Sequence, residues 1–483
     1  MLFFFKSQYH TVMHFGQCGN QIGEAFWPLA LHEYGIQTFG GGTNLLKTQR
    51  DYIKHMDELS DAFNSFFHVP ENAGKLSFKK LGDLNAAKVK ARAVLVDMED
   101  SVVSRFKQGP LRQLFDETCT VANYPGSGNN WAVGYYTHGS AYRDKIEEAI
   151  RRSAERCDGL HGFLMMHSLA GGTGSGLGTS TLGLLNDNYP RVDRFVSCVY
   201  PAVNQDVVTA PYNVLLATAK LAEHATCVFP ADNSALLDIC NVDAQKRENK
   251  DQTNYNATCR PFQDMNSVIV NMLLHLTSGA RFPGSLNMDM NEIATSLVAY
   301  PQLHYIFGSV SPTSLTAAGV SIARGAKLLD ELFSGVWSRK NQLLKVDPLS
   351  PKSVITGSAH IARGNASLTD IRRNIERFQT KAKFTKWSKE ATKVGLCSIP
   401  PAGHTSSLLC LLNSSSMSSM LKDVVVQFDR LYKKKAHVHH YLEVDGFEEA
   451  NFRDARSTVL SVCERYTELQ SEKPTNVPRL QLM

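Results

Sequence analysis

Residues 160–185 constrain the fold more than any other stretch. An apolar run over 160–168 meets Ser168-Leu-Ala-Gly-Gly-Thr-Gly-Ser-Gly176, and a second apolar segment, Thr179 to Leu185, follows. The first run reads as a buried strand and the second as a helix. Glycines let the chain turn sharply between them and bring backbone N–H groups close to a ligand. The helix that follows adds unpaired N–H groups and the positive end of its dipole, a combination suited to a phosphate chain. Thr173 and Ser175 add hydroxyl donors. No Lys follows the glycines, which excludes the usual phosphate loop ending in Gly-Lys-Ser/Thr, and the pattern is not the Gly-x-Gly-x-x-Gly dinucleotide fingerprint. Taken alone, the run fits a flexible turn as well as a phosphate site.

The flanking sequence narrows the choice. Residues 93–97 read as a buried strand ending in an acid, 141–157 as an amphipathic helix carrying Ile146, Ala149, Ile150 and Cys157 on one face, and 195–200 and 226–229 as further strands. Strand, helix, strand, glycine turn, helix is the order of a mostly parallel α/β sheet, whose ligands bind at the carboxyl ends of the strands. Residues 241–260, polar and charged, read as a long exposed loop, 264–282 as a long apolar helix, 283–412 as mixed short strands and helices, and the chain from 416 as two helices split by Gly446.

A chain of 483 residues exceeds one compact core and predicts two or three domains. Hydrophobic residues at 43% and charged residues at 20% place it among globular proteins. The net charge of +5 is small, and the run Lys433-Lys434-Lys435 reads as a solvated face able to meet an acidic partner surface, so no nucleic-acid partner is expected. Ten cysteines without a Cys-x-x-Cys pair point to buried thiols in a reducing cytosol rather than disulfides or zinc. No signal peptide and no membrane-length apolar run is evident, so a cytoplasmic chain with no membrane partner is expected.

Two further segments carry chemistry. Gly16-Gln-Cys-Gly-Asn-Gln-Ile-Gly23 is a second strand-to-helix turn, with Gln17 and Gln21 four apart on one helix face and able to offer amide donors; a polar helix start is the plainer reading. Asp97-Met-Glu99 ends a strand, and alternation puts both carboxylates on one side, where they are candidates to hold Mg2+ directly or through water. By themselves they read as surface acids. His437, His439 and His440 lack an acidic or Cys companion and are taken as surface or interface residues; strand alternation would point His437 and His439 the same way.

Together these segments resemble the tubulin family. Gly16-Gln-Cys-Gly-Asn-Gln-Ile-Gly is similar to its first nucleotide loop, and Ala170-Gly-Gly-Thr-Gly-Ser-Gly to its signature glycine loop with Ala170 in place of the first glycine. Gly128-Asn-Asn-Trp-Ala, Pro211-Tyr-Asn, Arg281-Phe-Pro-Gly, Pro301-Gln-Leu-His and Arg430-Leu-Tyr-Lys-Lys-Lys-Ala-His follow in order, so the likeness runs from about residue 14 to about 470. It implies an α/β fold with a Rossmann-like parallel-sheet GTP-binding domain (1–240), an α+β intermediate domain (241–412, with a core helix over 264–282 and an inter-subunit loop over 284–292) and a C-terminal helical hairpin (413–483). GTP or GDP with Mg2+ is the implied ligand. By motif position Gln17, Cys18 and Gln21 line the phosphates and base, and Glu99 acts near Mg2+ with Asp97. Asn129, Ser168, Gly172, Thr173 and Gly174 hold phosphates, Asp206 approaches the ribose, Asn233 and Asn266 read the guanine edge, and Phe262 stacks on it. Ala210 stands where many members have a ribose-binding Glu, and Glu99-Asp-Ser replaces Glu-Pro-Gly. Glu292 matches the acid by which alpha members help activate the attacking water in the next subunit; a helix-start Glu is the plainer alternative.

Within the family, Asp97-Met-Glu, Gly126-Ser-Gly-Asn-Asn-Trp-Ala-Val-Gly, Ser285-Leu-Asn-Met-Asp, Lys433-Lys-Lys-Ala-His-Val-His-His-Tyr-Leu and the Pro-Arg-Leu near the end are most similar to the epsilon type, with the delta type as runner-up. The end, Ser471-Glu-Lys-Pro-Thr-Asn-Val-Pro-Arg-Leu-Gln-Leu-Met483, has no long acidic run of the kind alpha and beta members carry. That likeness implies a cytoskeletal protein of centrosomes, centrioles and basal bodies, active in doublet or triplet microtubule formation. Its implied partners are other tubulins (delta, and alpha or beta, by longitudinal stacking) and centriolar proteins. It would be at most a weak GTPase completed by a neighbour. A non-polymerising GTP-bound scaffold is the alternative.

Overall fold

A computed structural model describes residues 8–38, 59–71, 78–202, 207–248, 261–282, 284, 286–313 and 325–471. Six parallel strands form the first sheet: β1 (Tyr9–Phe15), β2 (Ala93–Asp97), β3 (Thr120–Ala122), β4 (Leu160–Ser168), β5 (Asp193–Tyr200) and β6 (Cys227–Asp232). Their spatial order is β3-β2-β1-β4-β5-β6, the doubly wound arrangement in which the chain reverses direction between β1 and β4. The crevice above that reversal, at the carboxyl ends of the strands, is where such sheets take ligands.

Alternation along the strands explains the two-sided cover. Met13, Phe15, Phe163 and Met165 point into one apolar layer, whereas Val12, Leu164 and Met166 point into the other, so both faces of β1 and β4 are buried. The longer helices of this half are α1 (Gly16–Glu33), α2 (Asp100–Gln108), α3 (Arg143–Glu155), α4 (Gly178–Asn188), α5 (Ala210–His224) and α6 (Asn233–Glu248). Ile146, Ala149 and Ile150 are the buried stripe of α3, as their spacing predicts, whereas Cys157, expected on the same face, lies beyond the helix end at Glu155 and is half-buried.

Residues 241–248 are helical, not loop, because α6 runs on to Glu248. Ala, Gln, Lys, Arg and Glu over 244–248 are strong helix formers, and polarity alone does not distinguish an exposed helix from a loop. The remainder of the expected loop, 249–260, lies outside the described residues. The core helix α7 is Pro261–Leu276, followed by a separate turn Ser278–Arg281, so the expected single helix is interrupted at Thr277.

The second sheet contains β7 (Phe307–Ser311), β8 (Ile355–Gly364), β9 (Lys393–Cys397) and β10 (Ser406–Ser414) in the order β9-β8-β10-β7, mixed parallel and antiparallel. Its helices are α8 (Met290–Leu297), α9 (Ala326–Trp337) and α10 (Leu368–Lys381). The two sheets are tied by one buried ionic group. Glu33 at the end of α1 meets Arg281 and Arg363, each at 2.7 Å, with none of the three side chains exposed. Burial pushes the Glu33 carboxyl up, but Arg363 and Arg281 outweigh it and hold it below the usual range.

The chain closes with α11 (Met417–Tyr432), a short helix α12 (His439–Leu442) and α13 (Glu449–Ser471). Tyr212 of α5 packs its ring against Phe428 and Phe452, which fixes α11 and α13 over the first sheet. His437 lies in the turn and His439 and His440 in α12, so the strand alternation expected of these histidines does not occur. All three are exposed, with ring centroids 6.0 Å (His437–His440) and 4.0 Å (His439–His440) apart. Lys435 of the lysine run is ion-paired with Glu449 and lies over the Tyr432 ring. Among the described residues, no helix is long and apolar enough to cross a membrane.

Candidate functional site

The two glycine turns meet at the reversal point. Gly16 follows β1 directly with φ +66°, a left-handed conformation that favours glycine, and a Cβ there would lie 3.0 Å from the Gly174 nitrogen. A Cβ on Gly19 would lie 2.1 Å from the Met166 carbonyl oxygen, so α1 sits directly against β4. Gly172 in turn rests on Ser127 and Asn130, which a Cβ would approach to 2.6 and 2.8 Å. The Thr173 and Ser127 hydroxyls are 2.9 Å apart, and the Ser168 carbonyl oxygen would lie 2.9 Å from a Cβ on Gly174. After Gly172 the backbone makes a wide turn, Thr173–Leu177, before α4 begins. Gly16, Ser168, Gly172, Thr173 and Gly174 therefore share one cradle, with Gln17 exposed at its edge.

Asn129 stands at its rim, exposed, with φ 52°, a conformation Asn adopts more readily than most residues. What holds it there is Asn213, a residue whose motif was legible but whose role was not. Its side-chain N–H groups donate to the Asn129 carbonyl at 2.8 Å and the Ala170 carbonyl at 2.7 Å. Its Oδ1 accepts from the Trp131 N–H at 2.9 Å and the Tyr441 hydroxyl at 2.6 Å. One buried amide thus latches the glycine turn, the 127–131 loop and α12 together.

The acidic corner is arranged differently from the alternation argument. β2 ends at Asp97, so Asp97 and Glu99 do not share a face: Asp97 is 3% exposed, whereas Glu99 is exposed and precedes α2. Glu99 Oε1 lies 2.8 Å from where a Cβ on Gly126 would be, next to Ser127. Asn20 joins this corner to the cradle by donating to the carbonyls of Gly16 at 2.9 Å and Val96 at 3.2 Å. Asp97 Oδ1 accepts the Glu99 N–H at 3.3 Å, but Oδ2 is buried with no partner among the described residues, and burial pushes the carboxyl up to about 7. A lone buried carboxylate oxygen beside a phosphate cradle fits a divalent cation, which would supply the missing counter-charge.

At the far side, Gln21, Phe262 and Asn266 line one cleft of about 680 Å3 between α1 and α7, with Trp27, Phe106 and Arg105 among its other walls. Phe262 is 68% exposed, its face available for stacking. Cys18 is partly buried, and burial pushes its thiol up to about 12, away from the range of an activated nucleophile. Asn233 begins α6 directly after β6, at the same carboxyl edge of the sheet. Asp206 lies outside the described residues.

Among the described candidates, Glu292 is placed apart. Its neighbour Asn291 donates to the His161 carbonyl at 2.9 Å and to Asp193 at 2.6 Å, at the starts of β4 and β5. The nine residues of β4 span roughly 30 Å at about 3.3 Å each. Glu292 therefore sits at the opposite edge of the sheet from the glycine turn of its own chain. Asp289 caps α8 by accepting the Glu292 N–H at 2.6 Å, and the Glu292 carboxylate lies 3.5 Å from Lys393.

Comparison with known proteins accords with this geometry. Residues 10–241 match the family model of the Tubulin/FtsZ GTPase domain, and residues 301–425 that of the tubulin C-terminal domain. The tubulin epsilon chain of Mus musculus is 42% identical over 483 residues, covering 97% of each chain. That of Homo sapiens is 42% identical over 496 residues, covering 98% of this chain and 99% of its own. A tubulin beta chain of Porphyra purpurea is 34% identical over 456 residues, 92% of this chain and 89% of its own. With its doubly wound nucleotide sheet, paired glycine turns and likeness along almost its whole length, the chain belongs to the tubulin family.

Proposed function

We propose that this chain is an epsilon-type tubulin that binds GTP in the cradle of Gly16, Asn129, Ser168 and Gly172–Gly174. Its base would lie among Cys18, Gln21, Asn233, Phe262 and Asn266, its ribose near Asp206, and Gln17 would reach the phosphates. Asp97 and Glu99 would hold Mg2+, which offsets phosphate charge when bound. The domain division at 240 and 412 belongs to the same reading. The observation that carries it is the backbone-to-backbone meeting of Gly16 and Gly174 above the strand reversal.

The distant position of Glu292 supports action in trans. A carboxylate at the opposite edge of the sheet reaches a nucleotide only when a second subunit stacks head to tail, where it can orient a water for in-line attack. Hydrolysis by a single chain should then be weak. The partners we infer are other tubulins, delta, alpha or beta, and centriolar proteins. The setting would be the centriole or basal body during formation of doublet or triplet microtubules.

Hydrolysis measured against protein concentration tests this. A steep, more than linear rise, lost in Glu292→Ala without loss of bound nucleotide, is expected. A linear rise unaffected by Glu292→Ala would mean that each chain completes its own site.

A further inference from the structure

α8 carries Glu292, and its own eight residues cannot fix where the helix sits. Met290, Ile293, Ala294 and Leu297 are buried along one face. Apolar burial is non-directional, so it holds a helix to a surface without setting its rotation. Polar contacts set it. At the far end the Leu297 carbonyl accepts a side-chain N–H of Asn413 at 2.9 Å, and a Cβ on Gly357 would come within 2.9 Å of the Leu297 Cα. At the near end Asp289 accepts from the Gln8 side-chain amide as well as from the Glu292 N–H. The Lys393–Glu292 pair adds little, because both side chains are nearly half exposed and such pairs are weak.

Asn291, next to Glu292, ties the helix to the first sheet. Its side-chain N–H groups donate to the His161 carbonyl at 2.9 Å and to Asp193 Oδ2 at 2.6 Å. Those partners stand at the starts of two adjacent parallel strands, with Gly162 of β4 opposite Asp193 of β5. One amide therefore spans the amino edge of the sheet whose carboxyl edge carries the glycine turn. Its chemistry suits the place. Burial pushes the Asp193 carboxyl up, hydrogen bonds from Asn291 and Thr226 pull it back, and nearby Asp289 opposes them. A carboxylate at 291 would face two acids, whereas an amide donates twice and carries no charge.

We propose that Asn291 is a positioning residue for hydrolysis: by gripping His161 and Asp193 it fixes the rotation of α8 and so the reach of Glu292 toward the nucleotide of a stacked subunit. The proposal rests on the reading of Glu292 as acting in trans. Asn291 need touch neither nucleotide nor water. It acts through the next residue in the chain, whose carboxylate must orient a water for in-line attack. Such geometry tolerates little displacement, since a shift of about 1 Å costs about a hundredfold in rate. The apolar stripe of α8 keeps the helix folded and seated when Asn291 is lost, so the expected defect is in rate and not in stacking.

The test mixes two full-length chains. Glu292→Ala chains loaded with γ-labelled GTP are the reporters, because they cannot act on one another. Activator chains carrying unlabelled GDP are titrated in, and phosphate release is followed. Wild-type activators should stimulate release, and Glu292→Ala activators should not. Asn291→Ala activators should lower the saturating rate by about tenfold or more and leave the half-saturating concentration unchanged within about twofold. Asn291→Asp should be worse still. Combined with Asp193→Asn, which rebuilds the side-chain bond with donor and acceptor exchanged, it should recover about fivefold, a gain that a damaged fold cannot give. An Asn291→Ala activator equal to wild type, a rise in the half-saturating concentration alone, or no recovery in the exchanged pair would overturn the proposal. Equal release with wild-type and Glu292→Ala activators would overturn the trans reading itself, and the proposal with it.

Discussion

Single residues carry much of the site's organisation, and Asn213 most of all. Its four hydrogen bonds are all to groups of other segments, so their removal unlatches loops without changing any residue that would touch nucleotide. Asn213→Ala should leave two backbone carbonyls, the Trp131 N–H and the Tyr441 hydroxyl without this partner, at about 1–3 kcal/mol for each group left unsatisfied. Nucleotide retention should fall at least tenfold in a chain that still folds by circular dichroism; unchanged retention would remove Asn213 from the account. Asp97 makes the opposite case. Its buried Oδ2 lacks a partner among the described residues, so Asp97→Asn should raise the melting temperature of the nucleotide-free chain while abolishing any Mg2+ dependence of nucleotide affinity. A lower melting temperature, or Mg2+ dependence as before, would contradict the role given to that oxygen. The sequence showed Pro211-Tyr-Asn as a motif but gave Asn213 no task, because the task is to join segments distant in sequence. It showed Asp97 and Glu99 as neighbours but not that the strand stops between them, so alternation over two residues misplaced one of the two.

Elements were more legible than residues. The strands at 93–97 and 160–168 stand where apolar runs end in Asp97 and Ser168. Periodicity also found α3, whose two faces differ sharply in polarity. The extent of α6 was not legible, since its second half is polar and only intrinsic helix preference marks it. The glycine turns were legible as turns, yet their contact with each other is a property of strand order. Gly16→Ala tests that contact. The new methyl would meet the Gly174 nitrogen at 3.0 Å on a left-handed backbone, so a loss of roughly 1–3 kcal/mol and of nucleotide is expected. Normal stability and full nucleotide content would show that the two turns are not pressed together.

At the scale of the whole molecule, two groups of buried polar residues set the conditions of stability. Glu33 is the one acid among the described residues that pairs with both Arg281 and Arg363, so Glu33→Ala leaves two guanidiniums buried together and should cost about 3–5 kcal/mol, measured by chemical unfolding. A change below about 1 kcal/mol would mean that water or rearrangement replaces the acid. Histidines set the acid limit. Burial lowers His10, His14, His167 and His304 to about 4 and His275 and His360 to about 3. Their folded values lie below the unfolded one, so above pH 6.5 both states are neutral and nothing is lost. As pH falls from 6.5 toward 4 the unfolded chain takes up protons first, and each group withdraws up to roughly 3 kcal/mol, at about 1.4 kcal/mol per unit. Asp97, raised to about 7, and Asp193 and Asp232, also raised by burial, act in the opposite direction, but His32, His68, His138 and His224 are lowered as well and add to the six. The thermal midpoint should drop markedly between pH 7 and pH 5; a flat profile would mean that these imidazoles are not held neutral.

The most direct test of the account is the identity and amount of nucleotide released when the purified chain is denatured. A guanine nucleotide near one per chain is the predicted result, because the two glycine turns, Asn213 and the Asp97 corner already form the cradle within one chain. An empty chain, or one carrying adenine nucleotide, would contradict it, and would mean that Ala210 and the altered acidic turn at Glu99 have abolished guanine-nucleotide binding despite the family fold.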